Sequence, residues 1–267
     1  MSAPQSKLVL EDLDDGLLTI VMNRPDRRNA LNAELCGLLV EALERAARSS
    51  EVRAVLLKGA GGTFCVGGDV KAMAQADAPD LGVDERIRQL RARMEASRLL
   101  HDMPKPTIAV IAGAAAGAGL ALALACDLRV AGESAKITTA FGKVGLPGDF
   151  GGTYFMTRLV GGARARELYL TSPILDGRQA HAIGLVSRVV PDDQVDAAGA
   201  ELARSLADGP TVTFGHMKRN LNLAEHAGLA ECLDNEAWRH IVCMTTVDHR
   251  EAAAAFVEKR PPRFTGK

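Results

Sequence analysis

Residues 108–127 constrain the fold more than any other segment of the chain. The first of them end an apolar run that is typical of a buried strand. Gly113, Gly117 and Gly119 then lead into an apolar, alanine-rich stretch that predicts a helix. A glycine turn lets backbone approach a ligand closely, and the first N–H groups of a helix have no intrahelical partner. Such donors suit a developing oxyanion, although small residues also serve tight packing of a helix on a sheet.

The composition is that of an ordinary globular protein. Of the 267 residues, 47% are hydrophobic and 24% are charged, and the formal net charge is −1. This charge shows no footprint for nucleic acid or for an anionic membrane. We find no signal-peptide pattern and no apolar run of the roughly 20 residues that a membrane span requires. The five cysteines lack CxxC spacing, so we expect reduced thiols and a cytoplasmic protein.

Strand and helix patterns alternate along the first two thirds of the chain. Apolar runs on either side of the turn at residues 14–16 predict a hairpin, and apolar residues at helical spacing predict a helix over residues 35–49. Further strands are predicted at residues 54–58, 107–111, 128–131, 136–139 and 186–190, and further helices at 86–100, 153–170 and 179–184. This order predicts an α/β fold in which helices wrap the sheets.

The last third of the chain has a different pattern. Residues 195–257 are helical in pattern throughout, with breaks at Gly209-Pro210 and at Gly228. We therefore predict an α/β core over residues 1–191 and a helical region over residues 192–267.

A second glycine turn lies upstream of the first. Gly67 and Gly68 precede Asp69, which could cap a following helix. The polar residues 76–84 are a candidate mobile lid. The predicted helix over residues 86–100 carries five arginines, which indicate a solvated face more than a phosphate site.

Asp149 is the one carboxylate in a long glycine loop, residues 141–153. In such apolar surroundings a carboxylate has a raised pKa and can transfer protons. The alternative is that Asp149 caps the helix beginning near Gly152, which the residues by themselves favour. The histidines show no metal-ligand spacing, and no phosphate-loop motif is present, so we expect neither a metal nor a bound cofactor.

Several segments together resemble one known family. They resemble, in order and spacing, the enoyl-CoA hydratase/isomerase (crotonase) family. The segments are residues 23–32 (NRPDRRNALN), 64–70 (FCVGGDV), 113–127 (GAAAGAGLALALACD), 145–153 (GLPGDFGGT) and 255–266 (AFVEKRPPRFTG). The resemblance implies a crotonase-like spiral of β-β-α units with a C-terminal helical trimerisation region. It also implies an acyl-CoA substrate, of which coenzyme A is a part, and a homotrimer or a dimer of trimers.

The resemblance assigns residues to the site. The backbone N–H groups of Gly68 and Ala118 would hold the thioester oxygen as an oxyanion hole. Coenzyme A would be bound by residues from two segments and by a neighbouring subunit's last helix. These residues are Arg28, Ala30, Val66, Asp69 and Val70, with Phe256 and Lys259 from the neighbour.

The departures from the family pattern bear on the reaction. Hydratases of the family use two glutamates, and those positions are Ala121 and Phe141 in this chain. Asp149 instead matches the acid/base aspartate of the family's isomerases, and the pattern is most similar to the ring-epoxide isomerase type. We therefore predict an acyl-CoA isomerase, with a hydratase that uses other groups as the alternative. A non-catalytic relative that binds CoA or RNA ranks third, and we expect no nucleic-acid or membrane partner.

Overall fold

The structure is a computed structural model that describes residues 7–70 and 81–267. Most of the predicted lid, and the residues after Val70 that Asp69 was expected to cap as a helix, lie outside these residues.

A six-stranded sheet forms the centre of the molecule. Its strands are β1 (Val9–Asp14), β2 (Leu17–Met22), β3 (Ala54–Gly59), β4 (Thr107–Ile111), β6 (Leu128–Gly132) and β8 (Arg188–Val190), in the spatial order β1-β2-β3-β4-β6-β8. β1 and β2 form the predicted antiparallel hairpin, and the other neighbours are parallel. Every residue of β4 is buried, as expected of a parallel strand that is covered on both faces.

A smaller layer of short strands accompanies this sheet. β5 (Ala114–Ala116) pairs in parallel with β7 (Lys136–Thr138), and isolated bridges join Leu31 to Gly68 and Cys65 to Ala115. Successive turns of the chain thus add one strand to the large sheet and one short segment to the small layer. This repetition is the predicted spiral, and the predicted α/β fold class is confirmed.

Helices pack around both layers. They are α1 (Ala33–Arg48), α2 (Val83–Arg93), α3 (Glu95–Asp102), α4 (Ala118–Ala125), α5 (Gly152–Thr171), α6 (Gly177–Ala182), α7 (Val195–Ala207), α8 (Thr211–Ala224), α9 (Leu229–Met244) and α10 (Val247–Glu258). α1 begins where Asn32 Oδ1 accepts a hydrogen bond of 2.9 Å from the Leu35 N–H. α5 is kinked at Gly161, whose φ is 77°.

The prediction of one helix over residues 86–100 was wrong. Two helices, α2 and α3, meet at Met94. α2 buries no residue, whereas α3 buries Ala96, Ser97, Leu99 and Leu100. The two helices differ because only the second part has an apolar face to place against the core.

Two clusters of buried side chains form the core. The larger lies between the sheet and helices α1, α3, α4 and α5. The smaller covers the other face of the sheet, where Leu202 and Ala203 of α7 pack with Leu56, Ile108 and Val110. The boundary at residue 191 stays a prediction, since α7 packs directly on the sheet. Among the helices that the structure describes, none is both long and apolar enough to span a lipid bilayer.

Candidate active site

Asn29 organises the loop that precedes α1. It is fully buried, with a φ of 57°. Its side-chain amide donates to the carbonyl oxygens of Ala60 (2.9 Å) and Thr63 (2.7 Å), and its Oδ1 accepts from the Arg24 N–H (2.9 Å). Asn29 therefore ties this loop to the segment that leads into Gly67 and Gly68. The sequence analysis did not predict this role, although Asn29 lies within the NRPDRRNALN motif.

Three backbone hydrogen bonds continue this attachment. The Val66 N–H donates to the Arg28 carbonyl (3.3 Å), the Leu31 N–H to that of Gly67 (2.7 Å), and the Asp69 N–H to that of Leu31 (3.1 Å). The structure thus brings together four of the residues assigned to coenzyme A, namely Arg28, Ala30, Val66 and Asp69.

Arg24, which the sequence reasoning also missed, holds two of these residues. Its guanidinium donates to the Ala30 carbonyl oxygen (2.5 Å) and to Asp69 Oδ2 (3.1 Å). Asp69 is buried in this ion pair, whereas the neighbouring Val70 side chain is 48% exposed. The ion pair gives Asp69 a clear structural role in fixing the turn.

The two glycine turns lie side by side. A Cβ atom at Gly67, where φ is 92°, would lie 2.9 Å from the Ala116 carbonyl oxygen and 3.4 Å from the Ala118 nitrogen. The Cys65 and Ala116 segments exchange backbone hydrogen bonds, with Ala116 N–H donating to the Cys65 carbonyl (3.0 Å). A side chain at Gly67 would separate the turns, so close approach requires glycine there.

The amides of Gly68 and Ala118 are available as donors. Ala118 is the first residue of α4, where N–H groups have no intrahelical acceptor. Within the part of the chain that the structure describes, neither amide donates a hydrogen bond to a protein atom. Because a helix N-terminus is also the positive end of the helix dipole, this corner can attract an oxygen that carries negative charge.

Asp149 lies in the loop between a short 3-10 turn (Phe141–Val144) and α5. It is half-buried, and within residues 7–70 and 81–267 its Oδ1 atom is buried without a hydrogen-bond partner. Burial raises the pKa of this carboxyl from 3.8 to about 6. A carboxyl with such a pKa can exchange protons near neutral pH.

The interpretation of Asp149 as a helix cap is wrong. Gly151, in the left-handed conformation (φ 74°), occupies the cap position of α5, and no side chain bonds there. The Gly152 N–H donates instead to the backbone carbonyl of Asp149 (3.0 Å). The backbone of the loop thus accepts the hydrogen bond of the N–H group at the helix start, and the Asp149 carboxylate does not act as a cap.

Aromatic and small side chains surround Asp149. The rings of Phe141 and Tyr169 stack with their centroids 6.0 Å apart and an angle of 11° between planes. A Cβ atom at Gly152 would lie 2.4 Å from Tyr169 Oη and 3.1 Å from the Ala121 Cβ. Ala121 and Phe141, the positions that the family resemblance assigns to the hydratase glutamates, therefore lie beside the Asp149 loop and bring no second carboxylate there.

The same enclosure adjoins the glycine turns. A Cβ atom at Gly117 would lie 3.8 Å from Cε1 of Phe141. The Phe141 ring thus lies between the two glycine turns and the Asp149 loop. Tyr169 was missed in the sequence because it lies 20 residues from Asp149 within an ordinary helical pattern.

Phe256 and Lys259 are not brought to this site within one chain. Phe256 is 86% exposed on α10, and Lys259 follows the helix in the left-handed conformation. A cavity of about 440 Å³ also lies elsewhere, between α8 and the core, and Lys218, Phe155 and Leu124 are among its lining residues. None of the predicted site residues lines that cavity.

Comparison with known proteins gives consistent matches over the whole chain. The family model described as Enoyl-CoA hydratase/isomerase matches residues 12–267. The chain is 39% identical over 265 residues to 1,2-epoxyphenylacetyl-CoA isomerase of Escherichia coli (strain K12), covering 98% of this chain and 99% of that protein. It is 36% identical over 260 residues to a probable enoyl-CoA hydratase of Rhodobacter capsulatus, covering 96% and 97%.

A solved structure matches equally well. The crystal structure of a putative enoyl-CoA hydratase from Streptomyces coelicolor A3(2) has a TM-score of 0.93 and 35% sequence identity. That match covers 100% of this chain and 97% of the other.

Proposed function

Because the chain belongs to the enoyl-CoA hydratase/isomerase family, we propose that it is an acyl-CoA isomerase that shifts a double bond or rearranges a ring epoxide. The observation that carries this proposal is Asp149, whose buried Oδ1 bonds to nothing in the described part of the chain. The similarity to a protein named 1,2-epoxyphenylacetyl-CoA isomerase supports isomerisation. The substrate is an acyl-CoA thioester, and coenzyme A belongs to that substrate.

The oxyanion corner is proposed to act on the thioester oxygen. Removal of a proton α to the thioester moves negative charge onto that oxygen as an enolate forms. The N–H groups of Gly68 and Ala118 would donate to it, and they are held in place before reaction by the adjoining turns. Preorganised donors stabilise the transition state more than the ground state, and loss of one such donor typically costs about 3–4 kcal/mol.

Asp149 is proposed to move the proton. Its carboxylate takes the α proton of a 3-enoyl thioester, and the resulting carboxylic acid returns that proton at the γ carbon. The double bond thereby moves into conjugation without gain or loss of atoms. A pKa of about 6 suits both steps, because the group is ionised at neutral pH and yet gives up its proton readily.

The surroundings of Asp149 favour isomerisation over addition of water. A hydratase must orient and deprotonate a water molecule, which the family's hydratases do with two glutamates. Ala121 and Phe141 stand at those positions, and both are buried apolar side chains. A site with one carboxylate can return a proton to carbon but lacks the second group that would hold water.

Coenzyme A is proposed to lie along Arg28, Ala30, Val66, Asp69 and Val70. The hydrogen bonds that join these segments support a common binding surface. Phe256 and Lys259 are proposed to reach the coenzyme A of a neighbouring subunit, in a cytoplasmic homotrimer or dimer of trimers. Exposed apolar side chains on α8 and α9 support such an assembly, for example Leu221 (70% exposed), Leu229 (76%) and Ile241 (61%). Light scattering coupled to size-exclusion chromatography measures the mass of the assembly in solution and so tests this proposal.

The test of the function uses two substrates. Purified protein is incubated separately with a 3-enoyl-CoA and a 2-enoyl-CoA, and products are read by mass and ultraviolet absorbance. We expect the 3-enoyl ester to give a conjugated product of unchanged mass. Addition of one water to the 2-enoyl ester would identify a hydratase instead, and undiminished activity of Asp149→Asn would contradict the assigned proton transfer. If neither ester reacts, the ring epoxide is the substrate to test.

A further inference from the structure

α10 and the residue that follows it carry Phe256 and Lys259, yet this helix buries little of its surface. Of its twelve residues, only Asp248 and Ala255 are buried. Phe256 and Val257 are 86% and 80% exposed. Because most helices in proteins are held by the packing of an apolar face, the position of α10 needs other contacts to fix it.

Asp248 joins the first turn of α10 to residues 265–267. Its carboxylate is 2% exposed and accepts hydrogen bonds from the Thr265 N–H (2.7 Å), the Thr265 hydroxyl (3.2 Å) and the Gly266 N–H (2.8 Å). The Asp248 N–H donates to the Lys267 carbonyl (3.0 Å). A carboxylate this deeply buried is stable because donors surround it, so the aspartate depends on this segment and the segment on the aspartate.

Glu251 binds the residues between that segment and the end of α10. Its carboxylate forms a bidentate ion pair with Arg260, at 2.6 and 3.0 Å, and accepts from the Arg263 N–H (2.8 Å). Two parallel bonds fix the relative orientation of both groups as well as their distance. Residues 260–267 thus form a clamp that runs back along α10 from its end to its start.

Arg53, which precedes β3, ties the clamp to the core. Its guanidinium donates to the carbonyls of Phe264 (3.2 Å) and Gly209 (2.7 Å) and to the Thr211 hydroxyl (3.1 Å). A Cβ atom at Gly266, where φ is 74°, would lie 3.2 Å from Thr211 Oγ1 and 3.4 Å from Arg53 Nε. The clamp therefore connects α10 to the central sheet and to the start of α8.

We propose that the clamp positions Phe256 and Lys259 for the coenzyme A of a neighbouring subunit. Asp248 and Arg53 are then positioning residues, because each holds one side of the clamp. A contact made by a fixed helix loses less conformational entropy on binding than one made by a mobile helix. Loosening the clamp therefore weakens binding of coenzyme A and leaves the chemistry at Asp149 intact. This inference rests on the proposed coenzyme A contacts and assembly.

Hydrogen exchange in the substrate-free protein tests the clamp first. Asp248→Asn weakens it on the side of the helix, and Arg53→Gln weakens it on the side of the core. In both variants we expect the amides of residues 247–267 to exchange about tenfold faster than in wild type, with β4 unchanged. Arg250→Gln is the matched control, because Arg250 is exposed on the same helix and donates to the Thr245 carbonyl (3.3 Å). Unchanged exchange in both variants would overturn the proposal.

Binding and turnover give readouts that a merely structural role would not separate. Calorimetry with free coenzyme A should give a Kd about tenfold higher in Asp248→Asn and in Arg53→Gln than in wild type. With a 3-enoyl-CoA, KM should rise by the same factor while kcat stays within about twofold. The N-acetylcysteamine thioester of the same acyl group lacks the nucleotide, so its kcat/KM should not change. An unchanged Kd, or loss of turnover with both thioesters, would overturn the proposal.

Light scattering of the same proteins separates positioning from assembly. Both variants should keep the mass of the wild type. A variant reduced to the monomer, or a wild type that is itself a monomer, would overturn the positioning role. If the wild type binds coenzyme A but isomerises no ester, the proposed isomerase fails, and exchange and calorimetry still decide the role of the clamp.

Discussion

Two aspartates beside helix ends differ in their hydrogen bonding. Asp127, just beyond α4, accepts hydrogen bonds from the Thr107 N–H (2.7 Å), the Thr107 hydroxyl (2.9 Å) and Lys218 Nζ (2.8 Å). Asp149, just before α5, has a buried Oδ1 atom that no group in the described residues contacts with a hydrogen bond. The first carboxylate joins the sheet to α8, whereas the second joins no other element in the part of the chain that the structure describes.

The difference separates a carboxylate with a structural role from one that is proposed to transfer protons. Buried polar groups are normally satisfied, because an unpaired one costs free energy of folding. The unpaired Asp149 carboxylate carries that free-energy cost. The loop is held by its glycines and by the bond from the Gly152 N–H to the Asp149 carbonyl, and the Asp149 side chain takes no part in this. A group left in this state retains its full capacity to bind a proton or a substrate.

Replacing Asp149 by asparagine should have the largest effect on activity. Asp149→Asn keeps the shape but cannot take a proton, so kcat should fall about 10³-fold. The free energy of unfolding at pH 8 should not fall, and should rise by about 1 kcal/mol after allowance for solvent screening, because a desolvated charge is removed. An enoyl-CoA isomerase assay and urea unfolding measure the two quantities. A large loss of folding stability in Asp149→Asn would instead give Asp149 a structural role like that of Asp127.

Replacing Asp127 should reverse this pattern. Asp127→Ala leaves the buried Lys218 ammonium without its counter-charge, although the carbonyls of Leu100 (2.7 Å) and Lys105 (3.2 Å) remain. The free energy of unfolding should fall by about 3 kcal/mol, and kcat of the folded protein should stay within a few-fold of wild type. Urea unfolding and the same assay provide the check. A loss of turnover in a fully stable protein would contradict the comparison.

The pH dependence of activity should report on Asp149. Since the base acts when ionised, kcat/KM should fall tenfold per pH unit below a midpoint of about 6. The folded-state pKa of about 6 is raised above the ordinary value of 3.8, so the burial penalty is absent well below pH 3.8 and approaches completion above pH 6. The stability advantage of Asp149→Asn over wild type should therefore grow across that interval. A midpoint near 4 would contradict the burial argument.

The smallest effect should come from an exposed ion pair on the same helix as Tyr169. Arg164 and Glu167 of α5 lie 2.8 Å apart, with side chains 50% and 57% exposed. Arg164→Ala should change the free energy of unfolding by less than about 0.5 kcal/mol and leave kcat unchanged. Thermal unfolding and the isomerase assay test this, and a large change would mean that α5 transmits more than packing to the site.

Local patterns in the sequence determined many of the strands, helices and turns. Apolar runs located β4 and α4, and the glycines located both turns, because close backbone approach and positive φ leave few alternatives to glycine. The family resemblance indicated Asp149 as a proton-transfer group. The residues around it, read alone, favoured a helix cap, which was wrong because Gly151 fills that position.

Only the tertiary structure decided what surrounds Asp149. Tyr169 lies 20 residues beyond Asp149, and it meets Gly148 and Gly152 only because α5 packs back along its own entry loop. Asn29 likewise reaches Ala60 and Thr63 across more than 30 residues of chain. Periodicity and spacing report which face of an element is buried, but they do not report which distant side chain lies opposite. The sequence therefore determined the spiral and the positions of the turns, whereas packing decided that Asp127 is paired and that Asp149 Oδ1 has no hydrogen-bond partner among the described residues.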